Sequence, residues 1–160
     1  MKSKSIAMLG VVFGAVLSAT AVAPVSAAVI NTSTLACQPV NAPQTDIRHT
    51  ENGVSTEGIA PARYVTCSVP RSPLITVGTT GAFVVTGDNI DGRATTTCTL
   101  SSYEFTGSFL GSTSFTTSTA HYAVILTLPV AQLGYWSYTS MTCLLPENAR
   151  ATLESVVSVQ

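Results

Sequence analysis

The stretch Gly87-Asp88-Asn89-Ile90-Asp91-Gly92 places two carboxylates and an amide within four positions and is this chain's nearest approach to an ion-binding motif. Oxygen ligands of that kind suit calcium, and an EF-hand loop orders them as D-x-[DN]-x-[DN]-G with a Glu six residues beyond the glycine. Here Asn89 follows Asp88 directly, Ile90 interrupts, and the residue six beyond Gly92 is Cys98. The spacing is wrong for that loop. Asp, Asn and Asp-Gly between two strand patterns instead suit a bend, because these residues tolerate left-handed backbone. The expectation is a turn, with Asp88, Asn89 and Asp91 as the subordinate metal candidates.

Other groups capable of chemistry are sparse. Asp46, His49 and Glu51 form a polar cluster, and His121 precedes an apolar run, yet neither histidine has an identifiable Ser or Cys partner. There is no G-x-S-x-G elbow, no H-E-x-x-H and no phosphate-cradling Gly loop followed by Lys. Glu104, Glu147 and Glu154 could in principle meet as a glycosidase pair, but nothing in their spacing selects two of them. No catalytic residue and no cofactor is therefore assigned. The run Tyr135-Trp136-Ser137-Tyr138 is the richest aromatic patch and holds the only Trp. Read as a strand, it puts Trp136 and Tyr138 on one face and Tyr135 on the other. Exposed, these rings would make a stacking platform for sugars; packing of Trp136 into the core is the favoured reading.

Cys37, Cys67, Cys98 and Cys143 form an even set with no C-x-x-C pair and no zinc-type Cys/His spacing, which favours disulfides over a metal site. Four cysteines allow three pairings. The preferred one is 37–67 with 98–143, because Cys98 and Cys143 both fall mid-strand in "ATTTCTL" and "SMTCLL", where neighbouring or facing strands could bring them together.

The elements that must position these groups read as strands. Segments 35–40, 62–69, 82–88, 94–105 and 134–145 carry strand patterns, 121–128 alternates Tyr122, Val124, Leu126 and Leu128 on one face, and Asn52-Gly53 marks an irregular hairpin. Residues 107–119 are weakly patterned. The tail 151–160 carries Leu153, Val157 and Val159 at period two, with a helix over 146–157 as its alternative. Seven or eight short strands without a convincing long helix predict an all-β fold: one antiparallel β-sandwich, jelly-roll-like or immunoglobulin-like.

The N-terminus reads as a secretory leader over residues 1–28: Lys2 and Lys4, an apolar run from Ile6 to Val22, then small residues up to Ala27-Ala28. A membrane anchor is the rival, which Pro24 and the small residues around it disfavour. Residues 29–160 then form the single domain, secreted or periplasmic. From Ile30 onward there are 23 Thr and 14 Ser, and both lysines are gone, leaving five Arg against eight acids, a formal charge of 5 − 8 = −3. No basic cluster remains, so neither nucleic acid nor an anionic membrane is an expected partner.

The segments "YVTCSVPRSPL", "ATTTCTLSSYEFTGSFLGS" and "SYTSMTCLLPENA" together resemble a group of small, exported, four-cysteine bacterial proteins of uncharacterised function. The resemblance runs along almost the whole mature chain and implies a compact secreted β domain; it assigns no activity and no functional residues. On these grounds the expected function is a non-catalytic secreted module binding a surface glycan or a protein. A small carboxylate-dependent hydrolase or lyase, or a surface-fibre subunit, are the alternatives.

Overall fold

A computed structural model of the chain describes residues 29–33, 37–41, 44–70, 80–90 and 92–159. The leader expected over residues 1–28 and the candidate ligand Asp91 lie outside the described residues. Among the described residues eleven strands run β1 (Val29–Ser33), β2 (Gln38–Pro39), β3 (Ile47–Thr50), β4 (Gly53–Thr56), β5 (Arg63–Val69), β6 (Gly81–Asn89), β7 (Thr96–Tyr103), β8 (Phe109–Thr117), β9 (His121–Leu128), β10 (Tyr138–Leu145) and β11 (Ala151–Val159). They form two antiparallel sheets. The front sheet has the order β2-β5-β10-β7-β8; the back sheet has β3-β4-β11-β6-β9, with β1 also paired to β11. The molecule is the expected β-sandwich, with more and shorter strands than the sequence pattern resolves.

The alternation that predicts strands also decides the layers. Thr, Val and Tyr suit a pleated surface whose successive side chains point to opposite faces. On β7 the buried set is Thr96, Cys98, Leu100 and Ser102; on β10 it is Thr139, Met141, Cys143 and Leu145. Of these, Cys98, Leu100, Met141, Cys143 and Leu145 meet Phe83 and Val85 of β6, Leu126 and Leu128 of β9, and Leu153 of β11 in one core. Cys98 lies directly opposite Cys143 in the ladder and the two are bonded; Cys37 is bonded to Cys67. Both links face inward, in the pairing the sequence favours.

Three features correct or go beyond the sequence pattern. Residues 109–117, weakly patterned because Gly, Ser and Thr occupy both faces, form one nine-residue edge strand, β8. The tail is a strand over Ala151–Val159, but Leu153, Val157 and Val159 do not share a face. A register shift between Leu153 and Ser155 turns the chain, so that Val156 and Ser158 point inward and Val157 outward. A one-residue bulge inverts everything beyond it. Finally, β6 and β7 are not partners: β6 pairs with β11 and β9, and β7 with β10 and β8. The acidic stretch between them is a crossover from sheet to sheet.

Candidate functional site

The outward face of the front sheet is built from the positions that alternate with the core. In ladder register, Ser68, Ser140, Ser101 and Ser112 make one row across β5, β10, β7 and β8. The next row is Thr66, Thr142, Thr99 and Ser114. Some hydroxyls pair with each other, as Thr66 Oγ1 with Ser140 Oγ at 3.1 Å and Thr97 Oγ1 with Thr116 Oγ1 at 2.9 Å. One end of this hydroxyl face is closed by rings. Tyr138, Tyr103 and Phe109 are register partners on three adjacent strands, Tyr103 stacking on Tyr138 at 5.5 Å between centroids and meeting Phe109 edge-on at 5.7 Å.

Two tight turns add to that row. In the β7–β8 hairpin, the Gly107 N–H donates to the Glu104 carbonyl at 2.8 Å, which leaves Phe105 at the apex; Gly107 takes the positive φ, 87°, that closes the turn. Before β10, the Ser137 N–H donates to the Gly134 carbonyl at 3.0 Å, and the Ser137 hydroxyl donates to the same oxygen at 2.8 Å. Tyr135 and Trp136 therefore sit at the two central positions of a turn, edge to face at 4.8 Å. Apex side chains have no sheet to lie against. Phe105 is 73% exposed and Trp136 71%, and the two face a shallow depression of about 300 Å³. This corrects the favoured reading: Trp136 is a surface residue, and it shares no strand face with Tyr138 because β10 begins only at Tyr138.

The loop carrying Trp136 is seated by the sequence just before it. Leu133 is buried in the core, and a short 3-10 turn, Val130–Gln132, lays the Gln132 side chain against Gly111 of β8. A methyl group at Gly111 would overlap the Gln132 amide. The aromatic turn thus rests on a side chain that only glycine admits.

The metal candidates Asp88 and Asn89 do not converge. Asp88 and Asn89 are neighbours on β6 and so point to opposite faces. Asn89 is 1% exposed; its Nδ2 donates to the Thr117 and Thr119 carbonyls at 3.3 and 3.0 Å, and its Oδ1 accepts from Thr96 Oγ1 at 2.8 Å. It clamps the crossover rather than offering an oxygen to an ion. Asp88 faces outward on the back sheet, paired with His121 of β9. The β11 bulge brings Glu154 beside them. Partial burial, then the neighbouring Asp88 carboxylate, raise the Glu154 carboxyl above its ordinary value, with His121 opposing. Just behind, burial pushes the Tyr122 hydroxyl up to about 12, which removes it as an acid or base at neutral pH. Asp46 is taken up by Arg63, with Nη2–Oδ2 at 2.7 Å, and His49 is exposed on β3. Among the described residues no three His, Cys, Asp or Glu side chains are grouped as a metal would need.

Of the aromatic candidates, Tyr135, Trp136 and Tyr138 do lie together. Sequence reasoning missed Tyr103, Phe105 and Phe109, although Tyr103 and Phe105 continue the outward period-two set of Thr97, Thr99 and Ser101. The Asp88–His121–Glu154 grouping had no local signal, since it depends on ladder register and on the bulge.

The fold and this surface define a disulfide-linked β-sandwich with an aromatic-ended, hydroxyl-rich face. Its architecture is similar to that of a xylan-binding module of known structure, with TM-score 0.54 and 9% identity over 82% of this chain and 95% of that one. A family 35 carbohydrate binding module from Clostridium thermocellum aligns over 82% of this chain and 97% of its own, with TM-score 0.48 and 10% identity. No protein-family model and no curated protein matches the sequence.

Proposed function

We propose that the chain, freed of residues 1–28, is an exported non-catalytic module that binds a surface glycan through the aromatic end of its front sheet. The observation that carries this reading is the gathering of Tyr103, Phe105, Phe109, Tyr135, Trp136 and Tyr138 from three chain segments onto one surface, most of them substantially exposed. Isolated exposed apolar residues need no explanation, but a contiguous aromatic patch on a soluble domain marks a recognition surface. Aromatic faces offer apolar area with little rotamer freedom to lose, and tyrosine hydroxyls keep a polar tip for hydrogen bonding. The fold likeness to a xylan-binding module supports the same reading.

The test is affinity electrophoresis of the mature chain through gels containing xylan, mannan or mixed-linkage β-glucan. Retardation by at least one polymer, lost in Trp136→Ala and weakened in Tyr138→Ala, is expected. Unretarded migration in every gel would remove the glycan reading. One observation favours a second reading, a carboxylate-dependent hydrolase or lyase: Asp88, Glu154 and His121 meet at one end of the opposite face. Release of new reducing ends from any of these polymers, abolished in Asp88→Asn, would put that reading first.

A further inference from the structure

Resting on that reading, we infer that the site does not stop at the aromatic end. It continues along the strands to Tyr64, so that the ligand is an extended, uncharged, hydroxyl-rich chain lying across the Ser/Thr face with a ring contact at either end. Tyr64 is the outward residue of β5 opposite Leu144 of β10, and it is 52% exposed. Leu144 is six positions along β10 from Tyr138. At roughly 3.3 Å per residue the two ring contacts are about 20 Å apart, several pyranose rings in length.

What lies between them fixes the chemistry. Every outward position of β5, β7, β8 and β10 between the aromatic row and the Tyr64–Leu144 pair is Ser or Thr, with no ionisable side chain among them. A hydroxyl both donates and accepts, and so matches another hydroxyl without choosing between them. Threonine at Thr66, Thr99 and Thr142 is stiff at χ1, so little side-chain freedom is lost when a ligand is bound. A protein partner would be expected to find charge or apolar relief on such a surface, and this strip has neither. A polyanion would find no cation on it. A neutral polyol chain finds a matching array and two stacking faces.

The experiment compares oligosaccharides of three and of six residues, derived from xylan, mannan and β-glucan, by titration calorimetry on the mature chain and three variants, Tyr64→Ala, Trp136→Ala and a double valine variant. The inference expects the longer oligomer of at least one series to bind more tightly. It expects Tyr64→Ala to weaken the longer oligomer by roughly five- to tenfold while leaving the shorter one unchanged. Thr99→Val with Thr142→Val, which keeps shape and removes two hydroxyls, should weaken the longer oligomer selectively as well. Far-ultraviolet circular dichroism confirms that the variants are folded. If Trp136→Ala abolishes binding while Tyr64→Ala and the double valine variant leave both lengths untouched, the extended site is wrong and the aromatic site stands. If no oligomer of either length binds, both fall together. Tighter binding of polygalacturonate than of every neutral series would overturn the uncharged class.

Discussion

Gly111→Ala should unseat the aromatic turn from inside the protein, and its size can be worked out. The new methyl would occupy space now filled by the Gln132 side-chain amide. Overpacking of this kind costs about 1–3 kcal/mol. Opposing it, alanine has fewer unfolded conformations than glycine, which returns about 0.5–1 kcal/mol in a strand. The net expectation is a loss of about 1–2 kcal/mol. Gln132→Ala alone should be close to neutral, because Gln132 Oε1 is buried without a hydrogen-bond partner and its removal offsets the lost packing. In that background the overlap no longer exists, so Gly111→Ala should cost nothing or stabilise slightly. Urea melts of all four proteins followed by circular dichroism give the cycle, with a coupling of about 2 kcal/mol expected. The single Trp, at position 136 on the turn in question, supplies a second readout: its emission should change in Gly111→Ala and recover in the double variant. A penalty that persists undiminished without Gln132 would refute this account of how the turn is held.

Replacing Cys98 and Cys143 together by alanine should cost about 4 kcal/mol, and Cys37 with Cys67 about 3.5 kcal/mol, from the loops of 45 and 30 residues they close; equal urea midpoints for wild type and either variant would contradict this. Asn89→Ala should lower stability by about 2–3 kcal/mol, since it strips partners from the buried Thr96 hydroxyl and two carbonyls, and added calcium should move neither thermal midpoint. The Glu154 carboxyl is raised in the folded chain, so the native state favours its protonated form. Its contribution is fully present below the unfolded value of about 4.3 and is lost as pH climbs through the higher folded value. Glu154→Gln should therefore be the more stable protein at neutral pH and lose that advantage in acid; an advantage independent of pH would count against the burial and the Asp88 contact that raise the carboxyl.

Period-two patterning was sufficient to recover β5, β6, β7, β9 and β10, because each buries one face and exposes the other. It failed where that premise fails. β8 carries hydroxyls and glycine on both faces, and the β11 bulge inserts one residue that no composition announces. The disulfide pairing was legible because Cys98 and Cys143 sit at the centres of two clear strands. Half of the aromatic site was legible as the run 135–138, but Trp136 was assigned to a strand where the chain makes a turn, since Gly134 and Ser137 close it through the backbone. Tyr103 and Phe109 reach Tyr138 through ladder register between β10, β7 and β8, a long-range property, and Phe105 joins them through the β7–β8 turn; the period-two set that runs on to Tyr103 and Phe105 does not show which strand lies beside it.

Both sulfur bridges lie in the front sheet, one tying β10 to β7 and the other securing the chain at β2 against β5. The plate that presents the rings and hydroxyls is thus cross-braced on its hidden side, while the described back sheet relies on its ladder and packing. A pull separating β7 from β10 would load a covalent link, whereas the β7–β8 and β5–β10 ladders carry none. In a reducing compartment the same plate would lose its bracing while the back layer kept its own.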